Sequence, residues 1–309
     1  MPPLNFNSPI LAIGLVAAFV ATVFGATNAM ADDITNIMLT DRAANCAVFA
    51  QSSTAIANDV QRGRTFDANV SVTVIGGNCV ISSNAIPNHD FNATGRFATA
   101  VSEQDQDFTV TASPRAAARP TALSLGYDNA VFLNGVKLDQ MAAGCFGVGD
   151  GRIGCGDMAA PYRYDPLGAG DTFGADEHNA HTQPDGTYHY HGNPLALFDH
   201  SNPTAPSPVI GFAADGFPIF GSFIDDGGIV REARSSYQLK SGTRAGGPVG
   251  KYDGTFIDDW EYIAGSGDLD ICNGMVQDGM YGYVVTESYP HVMGCFTGTP
   301  DKSFRKRRP

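Results

Sequence analysis

Positive charge is scarce in this 309-residue chain: 19 Lys and Arg stand against 32 Asp and Glu, for a formal net charge of −13. That balance argues against nucleic acid or an anionic membrane surface as the principal partner. Long apolar runs are missing after the N-terminal leader, so no later segment is a candidate membrane span. Helical periodicity is scarce, and there is one tryptophan. Several catalytic signatures are missing too. Without G-x-x-x-x-G-K-[ST], the glycine-rich stretch from Gly144 to Gly156 has no claim to be a phosphate cradle. Without G-x-S-x-G a serine nucleophile elbow is unsupported. H-E-x-x-H and an EF-hand loop are likewise absent.

What is present starts with the leader. Mostly apolar Ile10 to Phe24 precedes Ala29-Met30-Ala31, an A-x-A cleavage pattern, so residues 1–31 read as a secretory signal peptide cut before Asp32. The leader has no Lys or Arg, and the competing reading is a membrane anchor. Its short apolar core and the small residues at the cut favour a signal peptide. The expected location is secreted or periplasmic, with no membrane span after cleavage. Six cysteines follow: Cys46, Cys79, Cys145, Cys155, Cys272 and Cys295. An even count behind a signal peptide points to disulfides in an oxidising compartment. Fifteen pairings are possible; proximity suggests Cys145–Cys155 and Cys272–Cys295, which leaves Cys46–Cys79.

About 280 residues remain, enough for one large domain with a real core. Alanine-rich Ala43 to Val60 is expected to hold a short helix tied down by Cys46. Val70, Val72 and Val74 alternate with Ser71 and Thr73, and Gly76-Gly77-Asn78 turns the chain into Cys79-Val80-Ile81, which predicts a hairpin. Phe108 to Thr111 predicts another strand, and Val209 to Ala213 and Phe217 to Phe223 a second hairpin around Asp215-Gly216. Gly144 to Gly156 reads as a loop stapled by its two cysteines. Abundant glycine, Asx turns and short β-rich runs indicate a mostly β fold with few short helices, a single compact disulfide-containing domain of short strands and hairpins. The expected organisation is an N-terminal segment, 32–66, packed on a main domain, 67–300, and a basic disordered tail, 301–309.

Chemistry concentrates in Asp176 to Gly192, which holds four of the seven histidines within fourteen residues, His178, His181, His189 and His191. Pro184-Asp185-Gly186 marks a turn between them. Tyr188-His189-Tyr190-His191 alternates at period two, so the two histidines share one strand face and the tyrosines the other. Reversal at the turn brings His178 and His181 toward the same face. An imidazole cluster of this kind binds transition metals, and one without free thiolate suits copper, zinc or iron, with copper or zinc the expected ion. The cupin pattern fails because no glutamate follows His191 until Glu232; a multicopper oxidase would need a late His-Cys-His that Cys295 lacks. Glu177 is a candidate general base on a metal-bound water, which would make the protein a metal-dependent hydrolase or oxidase. The alternatives are a metal-binding protein without catalysis and an extracellular ligand-binding or adhesion module without metal. The small-molecule or extracellular ligand is unassigned. A shorter echo, Asp278-Gly279-Met280-Tyr281-Gly282-Tyr283-Val284, repeats D-G-x-Y-x-Y with Gly282 and Val284 in the histidine positions. If the repeat is structural, the tyrosines are scaffold and only the first copy carries chemistry.

Tyr188-His189-Tyr190-His191 and its setting resemble the YHYH domain family. Further motifs carry the resemblance: Ser83-Asn84-Ala85-Ile86-Pro87-Asn88-His89, Asn134-Gly135-Val136, Gly211 to Gly221, Leu269 to Gly274, and Tyr289 to Cys295. They span about Val70 to Gly298. Ala85 stands where the family has glycine, Asn88 where it has aspartate, and His291 where it has an aromatic residue. The resemblance implies a coherent secreted domain and adds His89 to the metal-site candidates and Asp215 as a further position. It names no reaction.

Overall fold

Alternation of inward small or apolar side chains with outward polar ones builds the first sheet. The computed structural model describes residues 31–149, 151–169, 173–201 and 203–306. Strands β1 (Asp32–Asp33), β2 (Ser52–Asp59), β3 (Arg64–Ile75), β4 (Asn78–Ser83) and β5 (Gln106–Thr111) lie side by side in chain order. Phe66, Ala68, Val70 and Val72 of β3 point inward with Ile81 of β4 and Phe108 and Val110 of β5. The expected helix over Ala43–Val60 is not formed. Only Cys46–Phe49 makes a 3₁₀ turn, and the alanines that suggested helix, Ala55 and Ala57, alternate with exposed residues along β2. Small residues at period two fit the inner face of this sheet, and tertiary burial outweighs helix propensity. The expected boundary between residues 66 and 67 falls inside β3.

The second sheet is buried on both faces over its central strands. Short strands β6 (Thr121–Ala122), β7 (Ala130–Phe132), β8 (Lys137–Leu138), β9 (Ala180–Thr182), β10 (Tyr188–Tyr190), β11 (Val209–Ala213), β12 (Pro218–Phe220), β13 (Phe223–Asp226), β14 (Ile229–Glu232), β15 (Tyr237–Leu239), β16 (Trp260–Tyr262), β17 (Gly274–Gln277), β18 (Met280–Val284) and β19 (Cys295–Phe296) follow. Eight of them form one sheet in the order β17-β18-β12-β11-β7-β8-β10-β9. Burial on both sides explains why β7, β11 and β12 read as continuous apolar runs rather than alternating ones. The two sheets share one core, closed by contacts such as Ser83 Oγ donating to the Gly135 carbonyl at 2.6 Å and the Phe49–Phe212 ring pair at 5.8 Å.

The strand order of the large sheet reads alike from both ends. Hairpin β7–β8 followed by hairpin β9–β10 makes one half; β11–β12 followed by β17–β18 makes the other. β7 and β11 meet antiparallel at the centre, where Ala130 pairs Ala213 and Phe132 pairs Gly211. The parallel pairs match in register: Leu138 faces Tyr190, and Ile219 faces Tyr283. Turns agree as well. Asp176 Oδ1 accepts from the backbone of His178 and Ala180, and Asp270 Oδ1 from Cys272 and Gly274. Asn179 and Asn273 both adopt positive φ, 60° and 66°. The D-G-x-Y-x-Y echo is therefore a repeat of structure.

Disulfides join Cys46 to Cys79, Cys145 to Cys155 and Cys272 to Cys295. No helix among the described residues is long and apolar enough to cross a membrane. The signal-peptide reading falls on residues that, but for Ala31, lie outside the described ones. The expectation of a disordered tail from residue 301 is corrected: Lys302–Phe304 forms a 3₁₀ turn, Phe304 is fully buried against Phe108, and Lys306 Nζ lies 2.5 Å from Asp139 Oδ2. A phenylalanine among basic residues anchors the segment. Arg307, Arg308 and Pro309 lie outside the described residues.

Candidate metal centre

Strand alternation sorts the five candidate histidines into two groups. In the β9–β10 hairpin His181 sits directly across from His189, and His191 follows two residues later on the same face. Gly186 makes the reversal possible. Its φ is +86°, and a Cβ there would lie 2.4 Å from Ser102 Oγ. His191 Nε2 stands 2.9 Å from His181 Nε2 and 3.1 Å from His189 Nε2. Among the described residues these three form the one histidine, cysteine or carboxylate group whose ligand atoms all lie within 4.8 Å of one another.

Tautomers follow from the outer nitrogens. His181 Nδ1 faces the Phe173 carbonyl at 2.7 Å, His189 Nδ1 the Thr187 carbonyl at 3.3 Å, and His191 Nδ1 the Gln140 carbonyl at 3.3 Å. A carbonyl only accepts, so each Nδ1 carries the proton and each Nε2 presents a lone pair. Three lone pairs then converge with no proton between them. Gln140 is itself pinned, donating Nε2–H to the Met293 carbonyl and accepting from Met293 N. Burial lowers the pKa of His181, and burial together with the neighbouring imidazoles drives His189 and His191 well below the ordinary value. The cluster is neutral at neutral pH.

His89 and His178 belong to the opposite face of β10. Their rings lie 4.1 Å apart. His89 Nδ1 donates to the Asp90 carbonyl at 2.8 Å, and Nε2 accepts from the Tyr190 hydroxyl at 2.7 Å, so both its nitrogens are committed. Burial first, then the neighbouring His178 imidazole, lowers its pKa to about 3. The five-histidine grouping is thus divided by the pleat: period two sends Tyr190 toward His89 and sends His189 and His191 away from it. Glu177 goes with the second group. Its carboxylate accepts from Ala93 N, Thr94 N and the Thr94 hydroxyl. Burial opposes its ionisation, but these bonds outweigh burial and lower its pKa, which suits a structural acceptor rather than a general base. Asp215 accepts from the Tyr283 hydroxyl at 2.6 Å and from Gly298 N at 2.8 Å, as a buried anchor of the other half.

Sequence reasoning missed the surround. Lys137 pairs with Asp128 at 3.0 Å and donates to Gln183; Gln183 and Lys306 both reach Asp139. His291 Nε2 lies 3.0 Å from Asp165 Oδ2. Nothing local in the sequence marks these pairs: apart from Lys137–Asp128, their members come from distant segments. Ala85, where the family has glycine, holds φ of 58°, the conformation that explains the usual glycine.

A disulfide-bonded β domain with three convergent imidazoles at one edge of its main sheet is the class of protein so defined. Residues 107–298 match the family described as YHYH protein. That is more than half the chain, and the protein belongs to the YHYH family. The match begins within β5, so it takes in the whole eight-stranded sheet and leaves out the Ser83–His89 element. No curated protein and no solved structure matches the chain.

Proposed function

We propose that the protein binds one transition-metal ion, copper or zinc, through Nε2 of His181, His189 and His191. The observation that carries this reading is the convergence of three imidazole Nε2 atoms at 2.9 and 3.1 Å. Metal–nitrogen bonds of about 2.0–2.1 Å, opened to octahedral or tetrahedral angles, place ligand nitrogens roughly 2.9–3.4 Å apart. Lone pairs that close repel unless a cation lies between them. The donor set is neutral and holds no thiolate, since all six cysteines are in disulfides; imidazole-only sets favour copper and zinc. The backbone carbonyls that hold the Nδ1 protons fix ring orientation, the usual task of groups behind metal ligands.

Bound metal would supply Lewis acidity or, as copper, a redox couple. The chain's own contribution is to hold three imidazoles neutral and oriented. Their lowered pKa values reduce proton competition, so affinity should stay level as pH falls through the ordinary histidine range. Titration of chelator-treated protein with Cu(II) and Zn(II) by calorimetry tests the reading. One equivalent should bind, and the His189→Ala/His191→Ala variant should bind none. Equal binding by both proteins would reject it. The disulfides also support work in an oxidising compartment, with residues 1–31 removed as a signal peptide. Sequencing the N-terminus of protein recovered from culture medium or periplasm should give Asp32.

A further inference from the structure

Away from the histidines, a cavity of about 470 Å³ opens between the β13–β14 hairpin, the β15–β16 hairpin and the segment after β18. Trp260 and Tyr237 line it, both braced from behind: Tyr289 stacks on Trp260 at 5.7 Å with 12° between planes and meets Tyr237 edge-on at 5.3 Å. Glu232, Glu287, Ser222 and Ser288 are among the polar residues that line it. Asn193 Nδ2 fixes one Glu287 oxygen at 3.0 Å. Among the described residues the Glu232 carboxylate and the Ser222 and Ser288 hydroxyls make no bond to the protein, although Ser222 is 2% exposed. The volume falls within the range of small-molecule sites, which combine aromatic walls with a few convergent polar groups.

We infer that this cavity is a saccharide-binding site. The Glu232 carboxylate and the remaining Glu287 oxygen only accept hydrogen bonds, and the serine hydroxyls both donate and accept. Their ligand must therefore offer donors and acceptors at once, with an apolar face for the rings. A sugar ring has that combination: hydroxyls around its rim and C–H groups on its faces. A cationic amine would satisfy the carboxylates but, having no acceptor, would leave the serine O–H groups unpaired; Arg234 also lines the cavity, with its guanidinium paired to Asp268. An anionic ligand would meet two carboxylates.

Trp260 is the one tryptophan of the chain, so its fluorescence reports on the cavity directly. Chelator-treated full-length protein, free of metal quenching, is titrated with maltose, cellobiose and N,N′-diacetylchitobiose, and with choline as the cationic probe. At least one disaccharide should give a saturable change with half-saturation near about 1 mM. Glu232→Gln, at an exposed strand end, should weaken that response about tenfold while the circular dichroism spectrum stays unchanged. Ser288→Ala provides a second exposed variant and should weaken it by a smaller factor. Flat titrations with all three sugars, a response that neither variant alters, or saturation by choline instead would each overturn the inference. None of these outcomes depends on the histidine cluster.

Discussion

The two halves of the eight-stranded sheet share a backbone plan and differ in what one position permits. In the first half His181, His189 and His191 line one face of the edge hairpin. In the second the same register places Met275, Gly282 and Val284 there. Glycine at 282 is enforced by its surroundings: a Cβ would stand 2.5 Å from Phe220 Cε2 and 2.8 Å from the Pro218 carbonyl. Phe220 occupies the place that Asp139 holds in the first half, where the polar side chain pairs with Lys306 and Gln183. The tyrosines do not differ in this way. Tyr190 bonds to His89 and Asn134, and Tyr283 to Asp215, from equivalent strands. A phenol network present in both halves belongs to the scaffold. An imidazole triad present in one half, beside a polar rather than an aromatic neighbour, is the added chemistry.

The largest expected effect is on the triad. His189→Ala/His191→Ala should lower metal affinity by far more than the roughly 100-fold that groups behind the ligands can cause, read by competition with a chromogenic chelator. Grafting the triad onto the second half, Met275→His/Gly282→His/Val284→His, should create no site, because Phe220 fills the space. Metal bound by a graft made in the His189→Ala/His191→Ala background would break the comparison. Gly282→Ala alone should cost about 1–3 kcal/mol through overpacking, with metal stoichiometry unchanged. Denaturant melts measure it.

A comparable loss should follow removal of either phenol. Tyr190→Phe strands His89 Nε2, and Tyr283→Phe removes one donor from Asp215, which keeps Gly298 N, and strands Thr297 N–H; each should cost about 1–3 kcal/mol. Tyr190→Phe should nonetheless keep one equivalent of metal, since its side chain lies on the other face of β10. Loss of metal in that variant would tie the tyrosines to the chemistry. At neutral pH the smallest effect is that of His89, which shows only on acidification. With His89 depressed to about 3 in the folded state, the unfolded chain binds the extra proton first, so stability is full above the ordinary histidine pKa and falls as pH drops toward 3. Metal-free His89→Gln should show a slope shallower by up to about 1.4 kcal/mol per pH unit across that window. An unchanged slope would mean that His89 is not held neutral.

Much of this was legible from local pattern. Valines at period two with Gly76-Gly77 announced the β3–β4 hairpin, and Tyr188 to His191 announced both the strand and its two faces. The same rule, carried one step further, separates His89 and His178 from the triad: whatever reaches Tyr190 cannot share a face with His189. That step needs His89 placed beside Tyr190, a contact across 101 residues that no local pattern encodes. Ala55 and Ala57 misled because small side chains serve helices and crowded sheet faces alike. The tail misled because the basic run from Arg305 to Arg308 outweighed one phenylalanine in a reading by composition, while burial of Phe304 decides the structure. The pseudo-symmetry was visible as D-G-x-Y-x-Y, but only the paired registers distinguish a repeat from coincidence.

The central claim meets its most direct test in elemental analysis of untagged protein purified from its own compartment without chelator. About one equivalent of copper or zinc per chain, absent from His189→Ala/His191→Ala prepared in parallel, is the predicted result. Protein with no stoichiometric metal, and none taken up at micromolar concentration, would contradict it.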